Sequence, residues 1–251
     1  MNDALAQAIS DIALAAGDAI LEIRDRGTAV REKSDQSPVT DSDEAANALI
    51  VARLAALTPD IPIVAEESVA AGDIPEIGAR FWLVDPLDGT REFIADRDEF
   101  TVNIALIENQ RPTLGVVGVP AKDELYIGLV GAGAWFAKGS GPREAIAARP
   151  VPDKDPIALA SRSHGSAETE AWLAKHEITR TVRAGSSVKF CRVAKGEADL
   201  YPRFGRTMEW DTAAGHGVLV AAGGSMHTVD GGDFLYGKAE FENPHFIARG
   251  A

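Results

Sequence analysis

The sequence predicts a layered fold in which an α+β half packs against an α/β half. Three patterns carry that expectation. Apolar residues recur at helical spacing through the amino-terminal segment, Leu5, Ile9, Ile12, Ala16, Ile20 and Ile23 among them. Strand-like runs follow one another from Thr101 to Ala137 with turn residues between them, as in an antiparallel meander. From Ile157 onward, strand-like and helical stretches alternate.

Length and charge bound the function. A chain of 251 residues can bury a sizeable core as one domain or as two packed subdomains. With 38 acids against 25 bases the net charge is −13, which argues against polymeric nucleic acid or an anionic membrane as partner. A small phosphate ester remains possible where metal ions reverse the local sign. The single cysteine, Cys191, permits neither an internal disulfide nor a cysteine metal site, so a reducing compartment is expected. The first 18 residues are acidic and amphipathic, unlike a signal peptide, and no run is expected to reach membrane-spanning length.

In chain order, a long amphipathic helix is expected from Asp3 to about Arg26, ended by Gly27. The polar stretch Lys33 to Asp41 reads as a mobile loop, and Thr28 to Asp41 as a candidate lid. A second helix follows from about Asp43 to Leu57, where Asp41 and Asp43 serve either as caps or as functional acids. Ile61 to Ala65 reads as a short strand delivering Glu66-Glu67-Ser68, and Val69 to Arg80 as loop. Phe81 to Val84 is an apolar run fit for a covered strand, which Pro86 should stop at Asp85. Strands are then expected at Thr101 to Glu108, Leu114 to Val119, Glu124 to Leu129 and Gly133 to Ala137, with turns at Gln110-Arg111-Pro112 and Ala121-Lys122-Asp123.

The Gly- and Pro-bearing interval Lys138 to Pro156 is the candidate boundary, giving halves 1–140 and 141–251. Beyond it the expected elements are strand Ile157 to Ser161, helix Ala167 to His176, strand Ile178 to Arg183, helix Val188 to Lys195, strand Asp199 to Tyr201 and helix Asp211 to Ala222. Cys191 and the four tryptophans are expected in the core.

The chemistry concentrates in Asp85-Pro86-Leu87-Asp88-Gly89-Thr90. Two carboxylates on one turn repel unless a cation or proton compensates, and oxygen ligands suit magnesium, manganese or calcium. An Asx turn is the plain alternative. If the strands before Glu66 and Asp85 are neighbours, Glu66, Asp85 and Asp88 converge. Gly185-Ser186-Ser187 opens a helix and offers amides and hydroxyls for a phosphate, or merely a serine cap. Lys189 and Arg203 read as anion ligands or as a solvated face, and Asp211 as a helix cap or a last metal ligand.

Together these residues resemble the inositol monophosphatase superfamily of metal-dependent, lithium-sensitive phosphatases, over nearly the whole chain. The resemblance lies in Ala65-Glu66-Glu67-Ser68, in Trp82 to Phe93, and in Trp210-Asp211 with its following helix. It implies an αβαβα sandwich of the inositol monophosphatase and fructose-bisphosphatase type. The segments Gly185 to Cys191 and Ala198 to Asp211 look most like its bacterial 3′(2′),5′-bisphosphate nucleotidase branch, whereas Glu66 to Gly72 looks like the inositol phosphatase branch.

The nucleotidase resemblance implies removal of the 3′-phosphate from adenosine 3′,5′-bisphosphate and its sulfated form, within sulfate assimilation. An inositol or other small-molecule phosphatase is the alternative, and a non-enzymatic cation-binding scaffold a third. It further implies two or three Mg²⁺ held by Glu66, Asp85, Asp88, Asp211 and the Leu87 carbonyl. Glu66, Thr90 and Asp43 would activate the attacking water. Substrate would meet Glu66, Leu87, Asp88, Gly89, Thr90, Ser186, Lys189, Arg203 and Asp211. The expected setting is a monomer or homodimer in the cytoplasm, or at the inner face of its membrane.

Overall fold

A computed structural model describes residues 3–32, 38–163 and 165–251. Helix α1 (Asp3–Arg26) runs as its periodicity requires and ends at Gly27, whose φ of 88° stops the helix. Strands β1 (Val30–Glu32) and β2 (Pro38–Thr40) form a small antiparallel hairpin where a loop was expected; its residues 33–37, and with them much of the candidate lid, lie outside the described residues. Helix α2 (Asp41–Leu57) begins two residues earlier than expected because Thr40 caps it, with Asp43 bonding back to the Thr40 amide.

Strand β3 (Ile63–Ala65) pairs in parallel with β4 (Arg80–Asp88), which brings Ala65 opposite Val84. Between them, Glu66–Ala70 forms the short helix α3 rather than an acidic loop. Pro86 does not end β4. The register shifts between Asp85 and Asp88, and a bulge is where a strand tolerates proline. After α4 (Thr90–Ile94) come β5 (Thr101–Glu108), β6 (Arg111–Val119), β7 (Glu124–Leu129), β8 (Gly133–Lys138) and β9 (Glu144–Ile146), antiparallel in sequence. The β5–β6 turn is Asn109-Gln110, both at positive φ as a two-residue hairpin demands, so Arg111 and Pro112 belong to β6. Strand β9 lies inside the interval read as a boundary.

The seven strands form one sheet in the order β3-β4-β5-β6-β7-β8-β9. Both faces are covered, so alternate residues of each strand enter different cores. Trp82, Val84, Ile104 and Ile127 pack under α1 and α2. Phe81, Leu83, Ala105 and Tyr126 face the other way. The Trp82 indole N–H donates to Thr58 Oγ1 at 2.9 Å, which satisfies its polar atom inside the core. Helix α1 has the length and apolarity to cross a membrane, contrary to expectation. Its Ala6, Ile9, Ile12, Ala16 and Ile20 are consumed by packing against the sheet, so it is a core helix and lends no support to a peripheral membrane position.

The second sheet takes the order β11-β10-β12-β14-β13, from β10 (Ile157–Ser161), β11 (Arg180–Ala184), β12 (Leu200–Arg203), β13 (Ser225–Thr228) and β14 (Phe246–Arg249). The last two strands carried no signal in the sequence. Helices α6 (Val188–Ala194) and α7 (Glu209–Ala221) fill the space between the sheets, while α5 (Ala167–Lys175) covers the outer face through Leu173. The layers are therefore αβαβα. Trp135 and Trp172 are only partly buried, unlike Trp82 and Trp210.

Two glycines set the position of α7. Gly115 and Gly128 are paired across β6 and β7. A β-carbon at Gly115 would lie 2.2 Å from the Ala214 carbonyl oxygen, and one at Gly128 2.4 Å from the Val218 Cα. The helix backbone therefore rests directly on the sheet, which places its amino terminus, and Asp211, over the end of β4.

Candidate active site

A cavity of about 420 Å³ opens where β4, α4, α6, β12 and α7 meet. One wall is acidic and carries Glu66, Asp85, Leu87, Asp88 and Asp211, with Gly89 and Thr90 beside them. The other carries Ser186, Ser187, Lys189 and Arg203. Parallel pairing of β3 with β4 is what brings Glu66 to the aspartates, as anticipated.

The turn after β4 explains its own residues. Asp85 Oδ1 accepts from the Leu87 amide at 3.1 Å, as an Asx turn requires, and Asp85 also lines the cavity. Gly89 has a φ of 92°, and a β-carbon there would come within 3.1 Å of the Glu99 carbonyl oxygen. The Thr90 hydroxyl is 3.1 Å from Asp43 Oδ1 and 3.3 Å from the Leu87 carbonyl. The second Asp43 oxygen accepts from the Thr40 hydroxyl at 2.6 Å and amide at 2.8 Å. Asp43 is thus a cap and a partner of Thr90 at once. Likewise Asp211 Oδ2 accepts from the Met208 amide at 2.8 Å while lining the cavity.

Unneutralised, the acidic wall is electrostatically strained. Burial, joined by the charges of Glu66 and Glu92, pushes the Asp88 carboxyl up to about 6, against the pull of Lys189 and the Ser187 amide. Burial with the charges of Asp88 and Glu66 lifts Asp211 well above its usual range. Burial also raises Asp43, with Glu66 adding to it and hydrogen bonds from Thr40 and Thr90 opposing. Such a set fits a hard divalent cation, whose charge would relieve each of these shifts. Among the described residues no group of three or more His, Cys, Asp or Glu side chains is arranged to hold a metal ion by itself. The donors instead line an open cavity, and magnesium ordinarily completes its octahedron with water and substrate oxygens.

The opposite wall departs from expectation in detail. The amides of its turn are not free: Gly185 N–H donates to Glu99 Oε2 at 2.8 Å and Ser187 N–H to Asp88 Oδ2 at 2.6 Å. Ser187 stands at the N-cap of its helix but its side chain makes no capping bond; its hydroxyl lies between Thr101 and Asn103, at 2.8 and 2.6 Å. Ser186 is held at φ 41°, with its buried hydroxyl lacking a protein partner. Lys189 is buried rather than projecting, and its ammonium donates to the carbonyls of Ser186 at 2.5 Å and Ala184 at 3.3 Å. Burial lowers its pKa to about 8, Arg203 adding to that and Asp88 opposing it. Arg203 is buried along β12 and donates to the Arg206 carbonyl at 3.1 Å.

Comparison with known proteins fits this geometry. The model of the inositol monophosphatase family matches residues 1–247. The chain belongs to the inositol monophosphatase family. A relative from Escherichia coli strain CFT073, the 3′(2′),5′-bisphosphate nucleotidase CysQ, is 46% identical over 242 residues, covering 95% of this chain and 96% of its own. The crystal structure of CysQ from Bacteroides thetaiotaomicron, described as a bacterial member of the inositol monophosphatase family, superposes with a TM-score of 0.85 at 39% identity. It covers 100% of this chain and 98% of that one. A Thermotoga maritima IMPase superposes at 0.79 with 26% identity, covering 96% and 89%.

Three residues beside this family's site, Glu99, Asn103 and Arg162, carried no signal in the sequence, and a fourth, Glu92, lay in the Trp82 to Phe93 stretch without an assigned role. Glu92 lines the cavity and accepts from the Ser163 hydroxyl. The others act on the Gly185–Ser187 turn from the far sheet or from β10. Their partners lie 63 to 86 residues away, which local patterns do not register.

Proposed function

We infer that this chain is a metal-dependent phosphomonoesterase that removes the 3′-phosphate of adenosine 3′,5′-bisphosphate, and of its sulfated form, in the cytoplasm. The observation that carries this reading is the facing of two unlike walls across one cavity. The carboxylates suit hard cations and a scissile phosphate. The Ser186, Lys189 and Arg203 wall suits the ribose and the phosphate that stays on the product. Relatives named as 3′(2′),5′-bisphosphate nucleotidases support that assignment.

Glu66, Asp85, Asp88, Asp211 and the Leu87 carbonyl would hold two or three Mg²⁺. When bound, magnesium supplies Lewis-acid activation of water and neutralises charge on the phosphate. The remaining roles belong to the chain. Gly89 lets the backbone approach the scissile phosphate, and Thr90, whose hydroxyl donates to Asp43, presents its oxygen as an acceptor to the attacking water. Glu66 or the Thr90–Asp43 pair receives the proton of the attacking water, which enters in line with the leaving ribose oxygen. No phosphoenzyme is required, since neither Cys nor His lines the cavity among the described residues.

The test is phosphate release in Mg²⁺ from adenosine 3′,5′-bisphosphate, inositol 1-phosphate and fructose 1,6-bisphosphate, compared by kcat/KM. The adenosine compound should exceed the others by at least about tenfold, with inhibition by lithium. A preference for inositol 1-phosphate, toward which the Glu66 to Gly72 segment leans, overturns the nucleotide assignment and leaves the metal-dependent phosphatase.

A further inference from the structure

The turn at Gly185–Ser187 is strained and must be held from outside. Ser186 sits at φ 41°, a left-handed conformation that disfavours a residue with a β-carbon. Two of its restraints come from residues already placed at the site: Asp88 accepts from Ser187 N–H, and Lys189 donates to the Ser186 carbonyl. The third comes from Glu99, just before β5, whose Oε2 accepts from Gly185 N–H at 2.8 Å.

Glu99 is itself fixed. Arg162, just past β10, donates Nε to its Oε2 at 2.9 Å and Nη2 to its Oε1 at 3.2 Å. The same guanidinium reaches the Arg183 carbonyl at 3.0 Å, at the end of β11, and the Arg162 amide donates to Ala184 at 3.1 Å. Arg192 stands 3.6 Å from Oε1. The neighbouring Phe100 is fully buried and packs edge-on to Phe93 at 5.2 Å, anchoring the backbone. The Glu99 carbonyl meets both active-site glycines. A β-carbon would come within 3.1 Å of it at Gly89 and within 2.8 Å at Gly185. One residue therefore touches the turn of each wall.

We propose that Glu99 is a positioning residue for the phosphatase reaction, and that with Arg162 it holds the Gly185–Ser187 turn where Ser186 faces the substrate and Ser187 N–H reaches Asp88. This rests on the nucleotidase reading for its choice of substrate. Paired bidentate with Arg162, the Glu99 carboxylate is a stiff acceptor, and its removal frees the turn to relax from the left-handed geometry. The acidic wall stays in place because β4 is held by its strand partners.

The experiment compares Glu99→Ala with Glu99→Gln, which keeps an acceptor for Gly185 N–H but loses the charge paired with Arg162. Amide hydrogen exchange should quicken about tenfold in residues 184–190 of Glu99→Ala, less in Glu99→Gln, and not at all in β5. KM for adenosine 3′,5′-bisphosphate should rise about tenfold in Glu99→Ala, with kcat and the kcat/KM of inositol 1-phosphate within about threefold. Unchanged exchange in the turn overturns the proposal. So does a proportional fall in kcat for both substrates at constant KM, the mark of a merely structural loss. A wild-type enzyme inactive on the bisphosphate defeats the nucleotidase reading instead, and the exchange measurement then decides the clamp alone.

Discussion

The acidic wall of the cavity draws on six consecutive residues, Asp85 to Thr90, plus Glu66, the first residue of α3 after the adjacent parallel strand β3. Backbone pairing in the seven-stranded sheet holds it. The opposite wall draws Ser186, Lys189 and Arg203 from two further elements. It is held by bonds to the Glu99 and Asp88 side chains and to the Ser186 carbonyl. Asp211 joins the acidic wall from a separate element; it rides on α7, whose height depends on Gly115 and Gly128. The difference teaches where each wall is vulnerable: the first to loss of charge, the second to loss of register.

Asp88→Asn should separate charge from scaffold most sharply. Turnover should fall by roughly 10³-fold or more, while the thermal midpoint without metal holds or rises, because a repelled buried charge is gone. Near-normal turnover would break the assignment of this wall to metal.

Gly115→Ala attacks the element between the walls. An added methyl 2.2 Å from the Ala214 carbonyl must displace α7, at a cost of about 3 kcal/mol in denaturant unfolding. A loss below about 0.5 kcal/mol would show that the helix has room to lift.

Arg203→Ala probes the second wall alone. KM for a bisphosphate should rise about tenfold and that for a monophosphate far less; equal effects remove Arg203 from selectivity.

The most gradual effect concerns His216, on α7 itself. Burial, with the charges of Arg111 and His227, lowers His216 to about 3, and its Nδ1 lies 3.0 Å from the Tyr236 hydroxyl. The folded state therefore binds fewer protons than the unfolded one between about pH 6.5 and 3. Stability from this group is complete above that window and is lost as pH falls through it, by at most about 1.4 kcal/mol per pH unit. His216→Phe should flatten the acid side of a plot of thermal midpoint against pH; an unchanged slope assigns the acid sensitivity elsewhere.

Much of this was legible before folding. Helix α1, the meander of β5 to β8 and the Asp85 to Thr90 turn all depend on neighbours within a few residues, where periodicity, glycine and proline act directly. Pro86 misled because proline stops a regular ladder but not a bulged one, and a bulge is visible only in the partner strand. The Lys189 ammonium was readable as a positive charge, but not as one turned inward onto carbonyls.

The sequence by itself determined the two kinds of half, the acidic motif and the hard-oxygen chemistry it implies, since these follow from short-range pattern and residue type; the layer order was implied only by the family resemblance. Only the tertiary structure decided that Glu66 stands beside Asp85, that α7 sinks onto two glycines, and that Glu99 grips Gly185 across 86 residues. Those contacts come from sheet register and close packing of distant segments, quantities that no local stretch of chain encodes.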